Sequence, residues 1–176
     1  MLDYGFHMVF IMNMTERQPY HFNPEELHAD VRKHLLQTET FRFRDQEYTF
    51  GIIARDAAPT LPHFVGMPGG QNLIGSEDLL HDPDLLAVSL GHEVLCNRLY
   101  ADQPGHCARA EQEILQGIKS PEVYGRILVA RKALFDGLLM MYKVNRTEPA
   151  TDFHRELLGT ERFLTSEKHR YTCGNP

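Results

Sequence analysis

From Pro83 onward the chain carries an apolar stripe at helical spacing: Leu85, Val88, Ser89, His92, Leu95, Cys96 and Leu99. Such a stripe has to be buried, so a helix here commits the chain to a core that also holds an imidazole and a thiol. His92 and Cys96 are four residues apart and point the same way, inward. Ten residues on, His106-Cys107-Ala108-Arg109-Ala110-Glu111 supplies a second imidazole and thiol, so two of the three cysteines lie in one short stretch. A lone Cys or His on an apolar face is usually a small buried hydrophobe or a hydrogen-bonded core histidine. The one-turn spacing opens a second reading, in which His92 and Cys96 are metal ligands and Glu93 between them is a catalytic carboxylate.

Composition narrows the field. At 176 residues the chain has the length of one ordinary domain, 1–176, and can bury a real core. A hydrophobic share of 42% and a charged share of 24% are those of a globular protein and exclude a disordered chain. The net charge of −6 carries no basic stripe, which argues against a nucleic-acid partner. Three cysteines are too few for a disulfide framework. The apolar start Met1–Met14 is broken by Asp3 and His7 and is shorter than the roughly 20 residues of a membrane span. It also lacks the pattern of a signal peptide. The expectation is a cytoplasmic protein with reduced thiols, in which clustered Cys and His favour metal over disulfide.

Local signals predict strands first and helices after. Tyr4–Met12 reads as a strand. Asn23-Pro24-Glu25-Glu26 starts a helix to about Gln37, burying Leu27, Val31, His34 and Leu35. Phe41–Arg44 and Glu47–Arg55 alternate as a hairpin or adjacent strands. Asp56–Thr60 is a turn, and Leu61–Met67 and Gln71–Ser76 are short extended segments hinged at Pro68-Gly69-Gly70. Helices are predicted from Ser76, from Asp82-Pro83-Asp84 to about Ala101, over His106–Ile118, and from Ser120-Pro121-Glu122 to about Val144. Weaker helices are expected over Glu148–Leu158 and Thr160–His169, followed by a frayed Cys173 tail. This order defines an α+β chain. Two further candidates are ordinary structure: the Pro68-Gly69-Gly70 turn lacks the spacing of a phosphate loop, and Tyr124, Leu128, Leu134, Leu138 and Met141 form a buried helix face.

The segments Phe50–Ala54, Pro62–Gly66, Asn72-Leu73-Ile74-Gly75-Ser76-Glu77-Asp78-Leu79-Leu80 and Asp84–Glu93, with Glu111–Leu115 downstream, resemble the gluzincin metallopeptidases. The similarity is greatest to the branch of prenyl-protein and membrane-stress peptidases and the β-lactam sensor peptidase domain. It spans about residues 50–130, within a zincin-like core of about 47–144 followed by C-terminal helices at 148–170. The fold it implies is a small twisted sheet followed by a helical half carrying the His-Glu helix. The resemblance implies His92 as the first zinc ligand and Glu93 as the general base, with Cys96 standing where the family has a second histidine. On the next helix it implies Cys107 at the position of a ligating glutamate and Glu111 at that of a carboxylate orienting His92. The implied cofactor is zinc, the implied activity a zinc-dependent peptidase, and the implied partner a peptide or protein, which would add along an edge strand near Asn72–Ser76.

A His/Cys/Cys set is a legitimate zinc site with an open fourth position, but two thiolates neutralise the ion's charge and predict weak hydrolytic power. His106 is a candidate fourth ligand that would close the set and make the site structural. A non-catalytic interaction protein that keeps the fold and lacks the metal is the alternative. In that reading Glu93 is a helix acid beside Asn97, and Glu111 and Glu113 are solvated.

Overall fold

A computed structural model of the chain describes residues 21–57, 65–66 and 72–174. The strand expected at Tyr4–Met12, the Pro68-Gly69-Gly70 hinge and most of Leu61–Met67 lie outside these residues. The chain divides into two compact units, up to Ser89 and from Leu90, with the division inside a helix.

In the first unit the helix start at Asn23 forms as predicted. Its side chain accepts from Glu25 N at 3.1 Å and caps a 3-10 turn over Pro24–Glu26. The helix itself does not reach Gln37. Only one turn forms, α1 (Ala29–Arg32), and the chain goes directly into strand β1 (Leu35–Phe43). The reason is tertiary. Leu35–Phe43 pairs antiparallel with β2 (Gln46–Ile53), and His34 O accepts from Ala54 N, so ladder hydrogen bonds displace a helix of only modest local preference. Leu27 is buried as predicted, with Ile53 and Ile74, and Phe22 and Val31 pack onto that cluster.

The hairpin turns on Arg44 and Asp45, with φ of 49° and 63°. Two consecutive left-handed residues suit the right-handed twist of the strands they join. Phe41 stacks on Tyr48 with ring centres 5.1 Å apart and meets Phe50 edge-on at 5.6 Å. Gly51 is needed for close approach: a Cβ there would stand 2.5 Å from the Phe22 ring and 2.9 Å from Leu35. Asn72, almost wholly buried, satisfies its amide against one peptide, accepting from Asn23 N at 2.8 Å and donating to Asn23 O at 3.1 Å.

Strand β3 (Val65–Gly66) and β4 (Ile74–Ser76) complete a mixed sheet in the order β1-β2-β4-β3. β4 runs parallel to β2 on one side and antiparallel to β3 on the other. It is therefore an inner strand, and the peptide-accepting edge expected near Asn72–Ser76 is not there. Among the described residues the edges of this sheet are β1 and β3.

A 3-10 turn over Glu77–His81 leads into α2 (Pro83–Val94), where Asp82 accepts from Leu85 N at 3.1 Å and caps the first turn. The predicted start is therefore observed. The second half of the predicted helix is not α-helical: Leu95–Leu99 is a π-helical turn, closed by Tyr100 N on Leu95 O.

The second unit adds α3 (His106–Gln116), α4 (Pro121–Met141) and α5 (Asp152–Cys173). Ser120 and Thr151 cap α4 and α5 through their hydroxyls. The two weak helices predicted at the C-terminus are one. α5 continues through Gly159 and through the predicted tail to Cys173, because Leu157, Leu158 and Leu164 are buried as it packs on α3 and α4. That burial outweighs the roughly 1 kcal/mol a mid-helix glycine costs. Lys132 on α4 bridges Asp136 at 2.6 Å and Glu161 of α5 at 3.3 Å. Gly125 lets the Tyr171 hydroxyl approach α4 closely, where it donates to Pro121 O at 3.1 Å. Among the described residues no helix is long and apolar enough to cross a membrane.

Candidate metal centre

The inward stripe of α2 forms as its spacing predicts. Leu85, Val88, Ser89, His92, Leu95 and Cys96 are all buried, and only Leu99, at the end of the π-turn, is half-exposed. α3 brings Cys107 to the same place. One donor atom from each of His92, Cys96 and Cys107 lies within 4.8 Å of the others. The three residues named as ligands thus meet in space, with His92 and Cys96 buried and Cys107 half-buried.

One expectation needs correction. Cys96 and Cys107 are not free thiols but are joined as a disulfide, with Cα atoms 4.8 Å apart. A disulfide sulfur has no thiolate charge to offer a cation. The donor set therefore fits zinc only as the dithiolate, with the imidazole of His92 as third ligand. Cys173 is free and exposed.

His106 does not join that set. It stands with Cys107 and Glu156, its Nδ1 3.0 Å from Gln103 O and 3.5 Å from Glu156 Oε1. Glu156 of α5 instead serves the start of α3, where a carboxylate is favoured. It accepts from Gly105 N at 2.8 Å and from Cys107 N at 3.0 Å. Gly105 precedes the helix at φ 72°, a left-handed conformation that glycine takes without strain. Cys107 is anchored by its backbone in this way.

Behind the cysteines lies a buried charged row. Glu111 is wholly enclosed, and its Oε2 is 2.7 Å from His92 Nδ1, although the ring nitrogen is not aligned for a linear hydrogen bond. Arg131 of α4 grips both oxygens of Glu111, with Nε and a terminal nitrogen each at 2.8 Å. Burial pushes the Glu111 carboxyl up, but the Arg131 charge and its paired hydrogen bonds, together with His92, outweigh that and hold it well below the usual carboxylate range. Burial likewise opposes the charge on Arg131, and Glu111 overcomes it, leaving the guanidinium more basic than usual. Phe135 meets the His92 ring edge-on at 5.8 Å and lies 5.4 Å from the Arg131 guanidinium.

Glu111 therefore stands where a carboxylate orienting His92 would stand and is not a solvated helix acid. Glu113 accepts from the Tyr100 hydroxyl. Arg131 was missed by the sequence reading. Its signal was a lone cation on the α4 face that also carries Leu128, Leu134 and Phe135.

Glu93 is not an open surface acid either. Part of the residue reaches the surface, but its carboxylate lies among enough protein that burial raises its pKa, against the lowering pull of His92, Arg131 and Asn97. Asn97 donates to Glu93 Oε2 at 2.8 Å and to Glu93 O at 3.0 Å, one turn along.

Together these features define an α+β protein whose helical unit gathers an imidazole and two sulfurs, with the Glu111 carboxylate against the imidazole. No family model, curated protein or solved structure matches the chain.

Proposed function

We propose that the dithiol form of this chain holds one zinc ion through His92, Cys96 and Cys107 and is a zincin-like, zinc-dependent hydrolase with peptides as its substrate class. The observation that carries the reading is the meeting of three donor atoms within 4.8 Å, one of them on a histidine whose Nδ1 faces a carboxylate. With Nδ1 against Glu111, Nε2 is the ring nitrogen left to serve as the ligand atom, and a carboxylate beside a metal-binding imidazole is a common neighbour. Zinc at such a point supplies Lewis acidity toward a carbonyl oxygen. Glu93 follows His92 in sequence, keeps some surface access and is steadied by Asn97, which suits it to accept a proton. The peptide substrate class rests on the family resemblance of the sequence.

His106 stands apart from His92 and Cys96, so a closed four-ligand structural zinc site has less support than a three-ligand one. A second reading is favoured by the disulfide itself: a non-catalytic interaction protein in which the Cys96–Cys107 bridge fastens the π-turn to α3.

Protein purified in reductant and incubated with zinc is expected to retain one ion per chain by elemental analysis, and Cys96→Ser is expected to lose it. Glu93→Gln is expected to keep the ion and lose cleavage of a mixed peptide library. A metal-free wild type would leave the non-catalytic reading standing. Cleavage unaffected by Glu93→Gln would remove the peptidase.

A further inference from the structure

We infer that Cys96 and Cys107 form an oxidation switch on the metal site, in which making the disulfide seen here expels the zinc proposed above. The inference rests on that zinc reading and adds its regulation. Its ground is that one pair of sulfurs belongs to two arrangements that exclude each other. They are bonded to one another in the structure, and with His92 they form the candidate donor set. A tetrahedral zinc holds its sulfur ligands about 2.3 Å away and so about 3.8 Å apart, and a disulfide removes the charge that makes them ligands. No ion can keep both sulfurs once they are joined.

The surroundings suit such a device. Cys96 lies on a π-turn, a local insertion in a helix that is found frequently at functional sites. It is 97% enclosed, so small oxidants reach it poorly. Cys107 is half-buried at the first turn of α3, and its backbone is pinned by Glu156. Cys107, the less enclosed of the two, is therefore the one to be attacked, and Cys96 is held beside it to complete the bridge.

With a hydroperoxide as oxidant the step balances. The Cys107 thiolate attacks one peroxide oxygen, the O–O bond breaks, and hydroxide or alkoxide leaves with its electron pair. The resulting sulfenic acid is attacked by the Cys96 thiolate, the S–S bond forms, and hydroxide leaves. Two electrons pass from sulfur to peroxide, and the zinc departs with its charge unchanged. A dithiol reductant reverses the sulfur chemistry. The free Cys173 sits at the far end of α5, 3.6 Å from His169 Nδ1, and takes no part.

The test uses the full chain with Cys173→Ser, reduced, loaded with zinc and titrated with hydrogen peroxide. A colour-forming chelator reads free zinc while thiols are counted in parallel. Two thiols are expected to disappear for each zinc released, mass spectrometry should place the bridge between Cys96 and Cys107, and dithiothreitol with zinc should restore the loaded form. Zinc retained after the bridge has formed would overturn the switch while leaving the metal site intact. Zinc lost with both thiols still free would also overturn it. A reduced protein that takes up no zinc at all would overturn both this inference and the metal reading beneath it.

Discussion

Replacing Arg131 by methionine should destabilise the helical unit by about 3–5 kcal/mol, the cost of stranding a buried partner charge. Glu111 is wholly enclosed, and its Arg131 partner binds both of its oxygens. Without the guanidinium, Glu111 keeps only His92 Nδ1 at 2.7 Å and must either hold an unpaired charge or take up a proton. Removing the pair together, as Glu111→Leu with Arg131→Met, is expected to cost far less than the single change, because no uncompensated charge remains. Urea denaturation of the wild type, the two single variants and the double variant closes the cycle. Single-variant costs that simply add in the double variant would show that Glu111 and Arg131 do not depend on one another.

The same pair sets a pH dependence. The folded-state pKa of Glu111 lies below its unfolded value, so its contribution to stability is complete above the ordinary carboxylate range. It is lost as pH falls through that range toward the lower folded value. Wild type should therefore lose stability in acid more steeply than the double variant, which has no carboxylate to protonate. Glu93 acts in the opposite sense. Its folded pKa is raised, so its ionisation as pH rises above the ordinary carboxylate range opposes folding. The two effects are separable, because only the first disappears with Glu111.

How much of this was legible in the sequence follows from where each element gets its stability. α2 and α4 begin where their local capping signals say, because a side chain at Asp82 or Ser120 satisfies amides one turn away whatever the rest of the chain does, whereas the start of α3 is held by Glu156 from α5. The inward face of α2, with His92 and Cys96 on it, was equally legible from spacing, while the place of Cys107 beside them was expected only from the family resemblance. The segment from Lys33 to Gln37 was not, since its fate depends on pairing with Ile52 and Ile53 across a turn of two left-handed, non-glycine residues. The position of β4 inside the sheet depends on β3, a strand too short to carry a pattern. At the site, spacing can bring two thiols together, but it does not decide between a bond and an ion. Arg131 lay in plain view as a charge on an apolar face, and its meaning required knowing that Glu111 faces it.

Truncating Phe50 to alanine should cost the sheet unit about 3–5 kcal/mol, whereas truncating Leu36 in the same hairpin should stay within about 0.5 kcal/mol. Phe50 is 1% exposed and meets Phe41 edge-on, while Leu36 is 52% exposed. Its removal deletes the transfer free energy of a large ring and leaves a hole beside Phe41 and Tyr48 that neighbouring strands, tied in register, cannot close. Phe50→Leu, which refills part of that volume, is expected to recover part of the loss. Amide exchange across β1 and β2 is the direct reading: protection should fall along the whole hairpin for Phe50→Ala and remain near wild type for Leu36→Ala. Equal losses for the two would mean that the aromatic row does not hold the sheet, and the pairing of Leu35–Phe43 with Gln46–Ile53 would then need another source of stability than the one its buried face provides.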